Sequence, residues 1–367
     1  VGYWSTAEVR GGARIFRPLM TTPEAPELHR FLAEVRGRGI RHAVMEVSSH
    51  AVALERIATL QFRTAVVTNL SPDHLDFHRT FAEYRAAKEG LVSGLPPGGV
   101  AVLNQDDPEV RTFAVPTAVR TIRYGVQTQG ELNAVHLEED DTQSRFELLV
   151  DGWLGEEASA GGRGPYPVCL SLPGRHNVYN ALAAVGAALS LGVPMPKAIA
   201  ALAQAKPPVR RLEAYREGPY TVVNDVAMNR ASYDAVLETM RRWGKPLVVV
   251  NALRGNRGEQ VNRDIALALA EWDRRLGFAP LIVTLSESQV SHLAADYRVR
   301  PEELQSFLQA ADQEGLAVEC FRELPEAIAR GVERLVPGGI LLLLGTFGMD
   351  DGAALAREVL RQRLGKA

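Results

Sequence analysis

The chain has 367 residues, 46% of them hydrophobic and 23% charged, the profile of a globular protein long enough for two or three cored domains. Its 41 basic and 44 acidic residues leave a net charge of −3, which excludes a dominant nucleic-acid footprint and a polybasic membrane patch. No apolar run approaches the roughly 18 residues of a membrane-spanning helix, and two distant cysteines, Cys169 and Cys320, suit a reducing cytoplasm better than a disulfide framework.

The opening VGYWST lacks an initiator Met, and the chain is expected to be a piece of something longer. Residues 23–36, PEAPELHRFLAEVR, place Leu28, Phe31, Leu32 and Val35 at helical spacing, which predicts a helix with one buried face. HAVMEV, TAVVTNL and, after the turn LPPGG, GVAVLN read as short buried strands. Strands separated by helices predict a parallel sheet with helices on its faces. Residues 118–172 are richer in strand signals and predict a smaller antiparallel extension. NVYNALAAVGAALSLG reads as an Ala-rich helix, with a second starting near Pro194. The stretch AQAKPPVRRLE marks a domain boundary, giving domains at 1–206 and 207–367. Beyond it, strands near 220–224, 246–250, 281–285, 317–321 and 339–345 alternate with helical patterns such as SYDAVLETMRRW and ELPEAIARGVERL, a Rossmann-like α/β domain.

In open α/β sheets ligands bind beyond the carboxyl ends of the strands, and the polar clusters fall there. Glu46, Ser48, Ser49 and His50 follow HAVM; Asn69, Asp73, His74, Asp76 and His78 follow TAVV; Asn104, Asp106 and Asp107 follow VAVL. Farther on, Asn224 and Asp225 end one strand, and Arg254, Asn256 and Arg257 follow another. Two such sets of loops suggest a cleft serving two substrates. Each cluster also has an ordinary reading, since Asp106-Asp107-Pro108 alone would make a turn and Ser48-Ser49 an ST-turn. Glu46 beside Val44 and Val47 is expected to be buried, where an unpaired carboxylate is costly. A divalent cation, with His74 as a second ligand, would stabilise it, and oxygen with imidazole suits Mg²⁺ or Mn²⁺ at least as well as Zn²⁺. Thr80-x-x-Glu83 is a capping box that starts a helix. On that helix Lys88 follows Tyr84 by one turn; it is either a snorkelling surface lysine or a partly buried, reactive amine.

The run MEVSSHAVALERI, followed by VVTNLSPDHLDFHRTFAEYRAAKEGLV, closely resembles the central domain of the Mur ligases, of the UDP-N-acetylmuramoyl-tripeptide synthetase type. LMTTPEAPEL, LNQDDP and LPGRHNVYNALAA look like further signatures of that family in the right order, and the likeness is good over roughly residues 1–215. It implies an ATP-dependent amide-bond synthetase of peptidoglycan synthesis, in which ATP phosphorylates a substrate carboxylate and an amine displaces phosphate. By the same resemblance, Glu46 and His74 match Mg²⁺ ligands. Lys88 matches a lysine carbamylated by CO₂, so that Lys88 and His74 would be the catalytic pair. Thr21, Thr22, Ser48 and Arg56 match residues holding a UDP-MurNAc-peptide-like acceptor. Asn177 and Asn180 match adenine-side asparagines, Arg211 an arginine reaching the ATP phosphates, and Asp225 an aspartate on the ribose. A cytoplasmic monomer acting on small molecules, without nucleic-acid or membrane partners, is expected.

The chain also departs from the pattern. The phosphate loop G-x-x-x-x-G-K-[ST] is absent from this sequence and is expected upstream of Val1, with the uridine-binding domain; alone, these residues are expected to be inactive. The family's D-Y-A-H-x-P reads Asp225-Val-Ala-Met228-Asn229-Arg230, and Arg210 stands at the glycine of G-R-x-E. The D-N-P-R loop for diaminopimelate is replaced by VTLSES, and G-K-G-H-E by GTFGMD. The stretch around residues 225–246 looks more like cyanophycin synthetase. Two alternatives therefore stand beside the first reading: a Mur-like ligase that polymerises amino acids, and a non-catalytic nucleotide-binding homologue.

Overall fold

The computed structural model describes residues 1–12, 14–16, 18–151, 154, 164–256, 258–291 and 297–365. They form two compact units. Val1–Leu137, Arg145–Leu170 and Asn177–Gln204 make the first; Glu138–Ser144, Ser171–His176 and Ala205–Ala367 make the second.

The first unit opens on a small mixed sheet of β1 (Gly2–Trp4), β2 (Val9–Gly11), β3 (Arg14–Phe16) and β4 (Ala43–Met45), in the order β3-β2-β1-β4. The β1–β2 and β2–β3 pairs are antiparallel and β1–β4 is parallel. Helix α1 (Ala25–Gly37) buries Leu28, Phe31 and Val35, as the spacing predicts. Trp4 meets Phe31 and Phe16 edge-on, at centroid distances of 5.2 and 5.9 Å. One expectation fails here. Val44 is 58% exposed and Glu46 is exposed, because among the described residues β4 has β1 as its only strand neighbour and lies at the sheet edge. An apolar run is indifferent to whether its strand is central or peripheral; pairing decides that.

Short helices α2 (Ser49–Ala53) and α3 (Leu75–His78) and the longer α4 (Phe81–Ser93) follow. The second sheet runs β5 (Thr64–Val67), β6 (Val100–Asn104), β7 (Arg120–Gly125), β8 (Leu132–Glu139), β9 (Ser144–Val150) and β10 (Tyr166–Leu170), each beside the next. The pairs from β5 to β8 are parallel, so the strands after residue 118 extend the parallel sheet before any antiparallel addition. The smaller separate sheet is instead the amino-terminal one. Helices α5 (Arg175–Ser190) and α6 (Met195–Leu202) are the two helices expected around Pro194.

The second unit holds β11 (Glu213–Glu217), β12 (Tyr220–Asp225), β13 (Leu247–Ala252), β14 (Leu281–Thr284), β15 (Val318–Phe321) and β16 (Ile340–Leu344), in the order β11-β12-β16-β13-β14-β15. All pairs are parallel except the β11–β12 hairpin. Each of the five strands expected in this region is present. On one face α7 (Arg230–Trp243), α8 (Glu259–Leu276) and α9 (Pro301–Gln313) contribute Tyr233, Leu237, Leu269 and Phe307 to the core. On the other, α10 (Leu324–Arg334) and α11 (Gly352–Leu364) contribute Ile328 and Leu360. Every residue of β16 is buried, as a central parallel strand covered on both faces requires. Leu342→Ala, at a fully buried position, is expected to cost about 2–5 kcal/mol, read as a lowered urea midpoint. Among the described residues no helix is long and apolar enough to cross a membrane, and Cys169 and Cys320 are not joined in a disulfide.

Candidate active site

At the carboxyl end of β4 the chain turns into α2, and four expected acceptor-side residues gather around it. Ser48 is the N-cap of α2, its hydroxyl accepting from the Ala51 amide at 3.2 Å. Thr22, almost fully buried, donates to the Glu46 carbonyl and accepts from the Ser48 amide, both at 2.9 Å. Arg56 reaches the Thr22 carbonyl at 3.3 Å and the Glu24 carboxylate at 2.9 Å. Thr21 shares a hydrogen bond of 2.9 Å with Thr6, whose amide and hydroxyl both donate to the Glu46 carboxylate at 2.7 Å. Thr6 is absent from the residues singled out by sequence. Its partner lies forty positions away, and nothing local to the strand end advertises the pairing. Glu46 is thus an exposed carboxylate held by Thr6, and the burial expected of it does not occur.

The loop after β5 supplies the rest of this half. His74 sits in the left-handed region, at φ 54°, with its amide on Asp73 Oδ1 at 2.9 Å. Its exposed ring packs edge-on to His50 at 4.8 Å and lies 6.3 Å from Tyr84. His78 is buried, with Nε2 2.9 Å from the buried Ser49 hydroxyl, which ties α3 to α2. The side chain of Asp76 lies outside the described residues. Thr80 caps α4 by accepting from the Glu83 amide at 3.2 Å, while its own amide goes to the His78 carbonyl. The capped helix sets Lys88 over the Tyr84 ring, 5.8 Å from its centroid. Burial pushes the Lys88 ammonium below its usual range, and the charges of Glu46 and Asp73 work against that shift. Glu46, Asp73 and Lys88 therefore share one electrostatic neighbourhood, with His74 beside Asp73.

The Asp106-Asp107 pair is structural. Asp106 accepts from the amides of Val126, Gln127 and Thr128 and from the Tyr179 hydroxyl, all within 2.9 Å. Desolvation raises its pKa, and these bonds outweigh it, leaving the carboxyl below its ordinary range. Asp107 accepts from the amides of Leu70, Glu109 and Val110. Asn177 and Asn180 lie one turn apart on α5, the Asn180 amide donating to Asn177 Oδ1 at 3.3 Å. Among the described residues no group of three or more His, Cys, Asp or Glu side chains is arranged to hold a metal ion by itself.

In the second unit Arg211 is exposed and Asp225 is buried. Asp225 accepts from the Leu212 amide at 2.7 Å, and burial pushes its pKa up to about 6. The altered stretch 228–230 has become a helix start. The Ser232 amide donates to Asn229 Oδ1 and the Asn229 amide to the Ser232 hydroxyl, both at 3.0 Å, a capping box for α7. Arg230 pairs with Glu271 and with Asp234. Arg254 lies over the Tyr297 and Phe347 rings, 5.1 and 4.8 Å from their centroids; Arg257 lies outside the described residues.

Residues 3–188 match the family model of the Mur ligase middle domain, and residues 210–347 that of the Mur ligase glutamate ligase domain. The chain is 36% identical over 264 residues to the UDP-N-acetylmuramoyl-L-alanyl-D-glutamate–2,6-diaminopimelate ligase of Chlamydia caviae, a match covering 71% of this chain and 51% of that protein. It is 30% identical over 361 residues to the protein of the same name from Halalkalibacterium halodurans, covering 94% and 69%. It thus spans about half the length of the first relative and about two thirds of the second. A solved structure of a ligase of that name gives a TM-score of 0.65 at 22% identity, over 99% of this chain and 73% of that one. A pseudomurein peptide ligase type C from Methanothermus fervidus gives 0.63 at 22% identity, over 88% and 68%. At that identity the two structures carry the fold alone. With both domain models matched in order, and the first over half of its residues, the chain belongs to the Mur ligase family.

Proposed function

We propose that the chain forms the central and carboxyl-terminal domains, residues 1–206 and 207–367, of an ATP-dependent ligase that joins an amino acid to a UDP-MurNAc-peptide-like acceptor. A carboxylate oxygen of the acceptor attacks the γ-phosphorus of ATP and ADP leaves. The amino-acid nitrogen then attacks the acyl carbon, the tetrahedral intermediate expels phosphate, and the nitrogen gives up its proton. The observation that carries this reading is the shared neighbourhood of Lys88, Glu46 and Asp73 at the ends of β4 and β5, with His74 alongside.

The cluster of Thr21, Thr22, Ser48 and Arg56 would bind the acceptor, Arg56 supplying positive charge for its anionic groups. Asn177 and Asn180 would face the adenine, Asp225 the ribose, and Arg211 the phosphates. The donor set of Glu46 and His74, oxygen and imidazole without a thiolate, fits Mg²⁺, and a carbamate on Lys88 would add a third, anionic group. When bound, Mg²⁺ supplies neutralisation of the phosphate oxygens during transfer. The amine is open to choice, because VTLSES stands where the diaminopimelate loop is expected. Phosphate release by the full-length protein, given ATP, Mg²⁺ and UDP-MurNAc-L-Ala-D-Glu, is expected to depend on one or a few members of an amino-acid panel. Release that no amino acid stimulates would sink the proposal.

A further inference from the structure

Strand β16 lies between β12 and β13, and the chain leaves β16 on the face opposite to the one on which it leaves those two neighbours. Helices α7 and α8, after β12 and β13, pack with Tyr233 and Leu269 on one face; α11, after β16, packs with Leu360 on the other. Such a reversal opens a crevice at the carboxyl ends of the strands, where α/β sheets bind ligands. Between β12 and β16 that place is taken by a side chain of the protein itself. The buried guanidinium of Arg210 donates to Asn224 Oδ1 at the end of β12 (3.4 Å), to the Gly345 carbonyl just after β16, and to the Asp350 carboxylate.

The backbone around it is equally constrained. Arg210 and Leu212 both stand in the left-handed region, at φ 58° and 48°, unfavourable for side chains larger than glycine. They are held there from three sides. The Val226 amide donates to the Arg210 carbonyl at 2.9 Å, the Leu212 amide to Asp225 at 2.7 Å, and the Arg210 amide to Glu213 at 3.1 Å. Arg211, between the two strained residues, is exposed.

We propose that Arg210 is a positioning residue, its guanidinium tying the carboxyl ends of β12 and β16 into one piece and so fixing the direction in which Arg211 is presented. A fork with three acceptors at different points of the crevice does what a lysine cannot. The consequence for catalysis rests on reading Arg211 as the arginine of the ATP phosphates.

The test uses the full-length protein with Arg210→Met, Arg211→Met and the double variant. Arg210→Met is expected to raise KM for ATP by roughly tenfold or more while leaving KM for the acceptor unchanged. Arg210→Lys, with one nitrogen for three, recovers only part of that loss. In the Arg211→Met background Arg210→Met is expected to add nothing, since a residue acting through another has no effect once that other is gone. An equal loss in both backgrounds, or one spread over all substrates, overturns the proposal. If Arg210→Met does not fold, Asp350→Asn removes one anchor of the clamp with the same expected split. A failure of the ligase reading shows separately, as wild-type protein without amino-acid-dependent release. Backbone amide exchange then decides: the amides of Leu212 and residues 346–350 exchange faster in Arg210→Met while those of β13 stay protected, and unchanged exchange overturns the clamp.

Discussion

Lys88→Ala is expected to lower amino-acid-dependent phosphate release in the full-length protein by roughly a hundred- to a thousandfold or more, with no rescue by added bicarbonate. That is roughly the scale on which removal of one preorganised electrostatic group slows a transfer reaction. Lys88 is carried by a helix whose start is fixed at Thr80, and its amine lies over the Tyr84 ring. Burial lowers its pKa against the pull of Glu46 and Asp73, so more of it is the neutral amine than in a solvated lysine. Only the neutral amine attacks CO₂. On the proposed carbamylation the N–C bond would form, a proton would leave, and a cation would become an anion in the electrostatic neighbourhood of Glu46, the charge a magnesium ligand would need. Wild-type protein in CO₂-depleted buffer should lose activity and regain it with bicarbonate. Lys88→Met, which keeps the stem over Tyr84, should lose activity without a fall in Tm. Undiminished turnover in Lys88→Ala would refute the role.

Asp225→Asn is expected to separate stability from function. Burial raises the folded pKa of Asp225 from 3.8 to about 6, against the Leu212 amide and the charges of Arg211 and Arg210. The native state therefore holds a proton that the unfolded state has released. The stability this contributes is complete below the unfolded value and is lost as pH rises through about 6. At neutral pH the charged form costs up to about 3 kcal/mol, which Asn avoids while still accepting from Leu212. His176 has the opposite sign. Desolvation lowers its pKa from 6.5 to about 4, so its contribution is present above pH 6.5 and is lost as pH falls toward 4. Between about pH 4 and 6 the two slopes oppose each other. The variant should gain stability at pH 7.5, and on acidification from about pH 6 to 5 it should show the His176 slope without the opposing one of Asp225, up to about 1.4 kcal/mol per pH unit. Urea unfolding at several pH values measures both effects, and coincident profiles for the two proteins would contradict the assignment. The same change should weaken ATP use, if Asp225 meets the ribose.

Several parts of the site were legible because their signal is local. A threonine three residues before a glutamate caps α4, and 3.6-residue periodicity then carries Lys88 to a position one turn past Tyr84. The strands of the second unit announce themselves as apolar runs between helical patterns. Asp106 and Asp107 behave as the turn their spacing suggests, each carboxylate consumed by three amides. The exposure of Glu46 is not legible in its neighbours: burial of a strand depends on what lies on both sides of it, and its own residues do not encode that.

The sequence by itself determined the element types, the capped helix that carries Lys88, and, through motifs in order, the family. Only the tertiary structure decided that Thr6 holds Glu46 across forty residues, that His78 is spent on Ser49 while His74 stays exposed, and that Arg210 fills a crevice between strands that are distant in sequence. The difference is physical. Helix caps and periodicity are set by contacts a few residues apart, whereas partners for buried charges are chosen by strand order, which no local window of sequence contains.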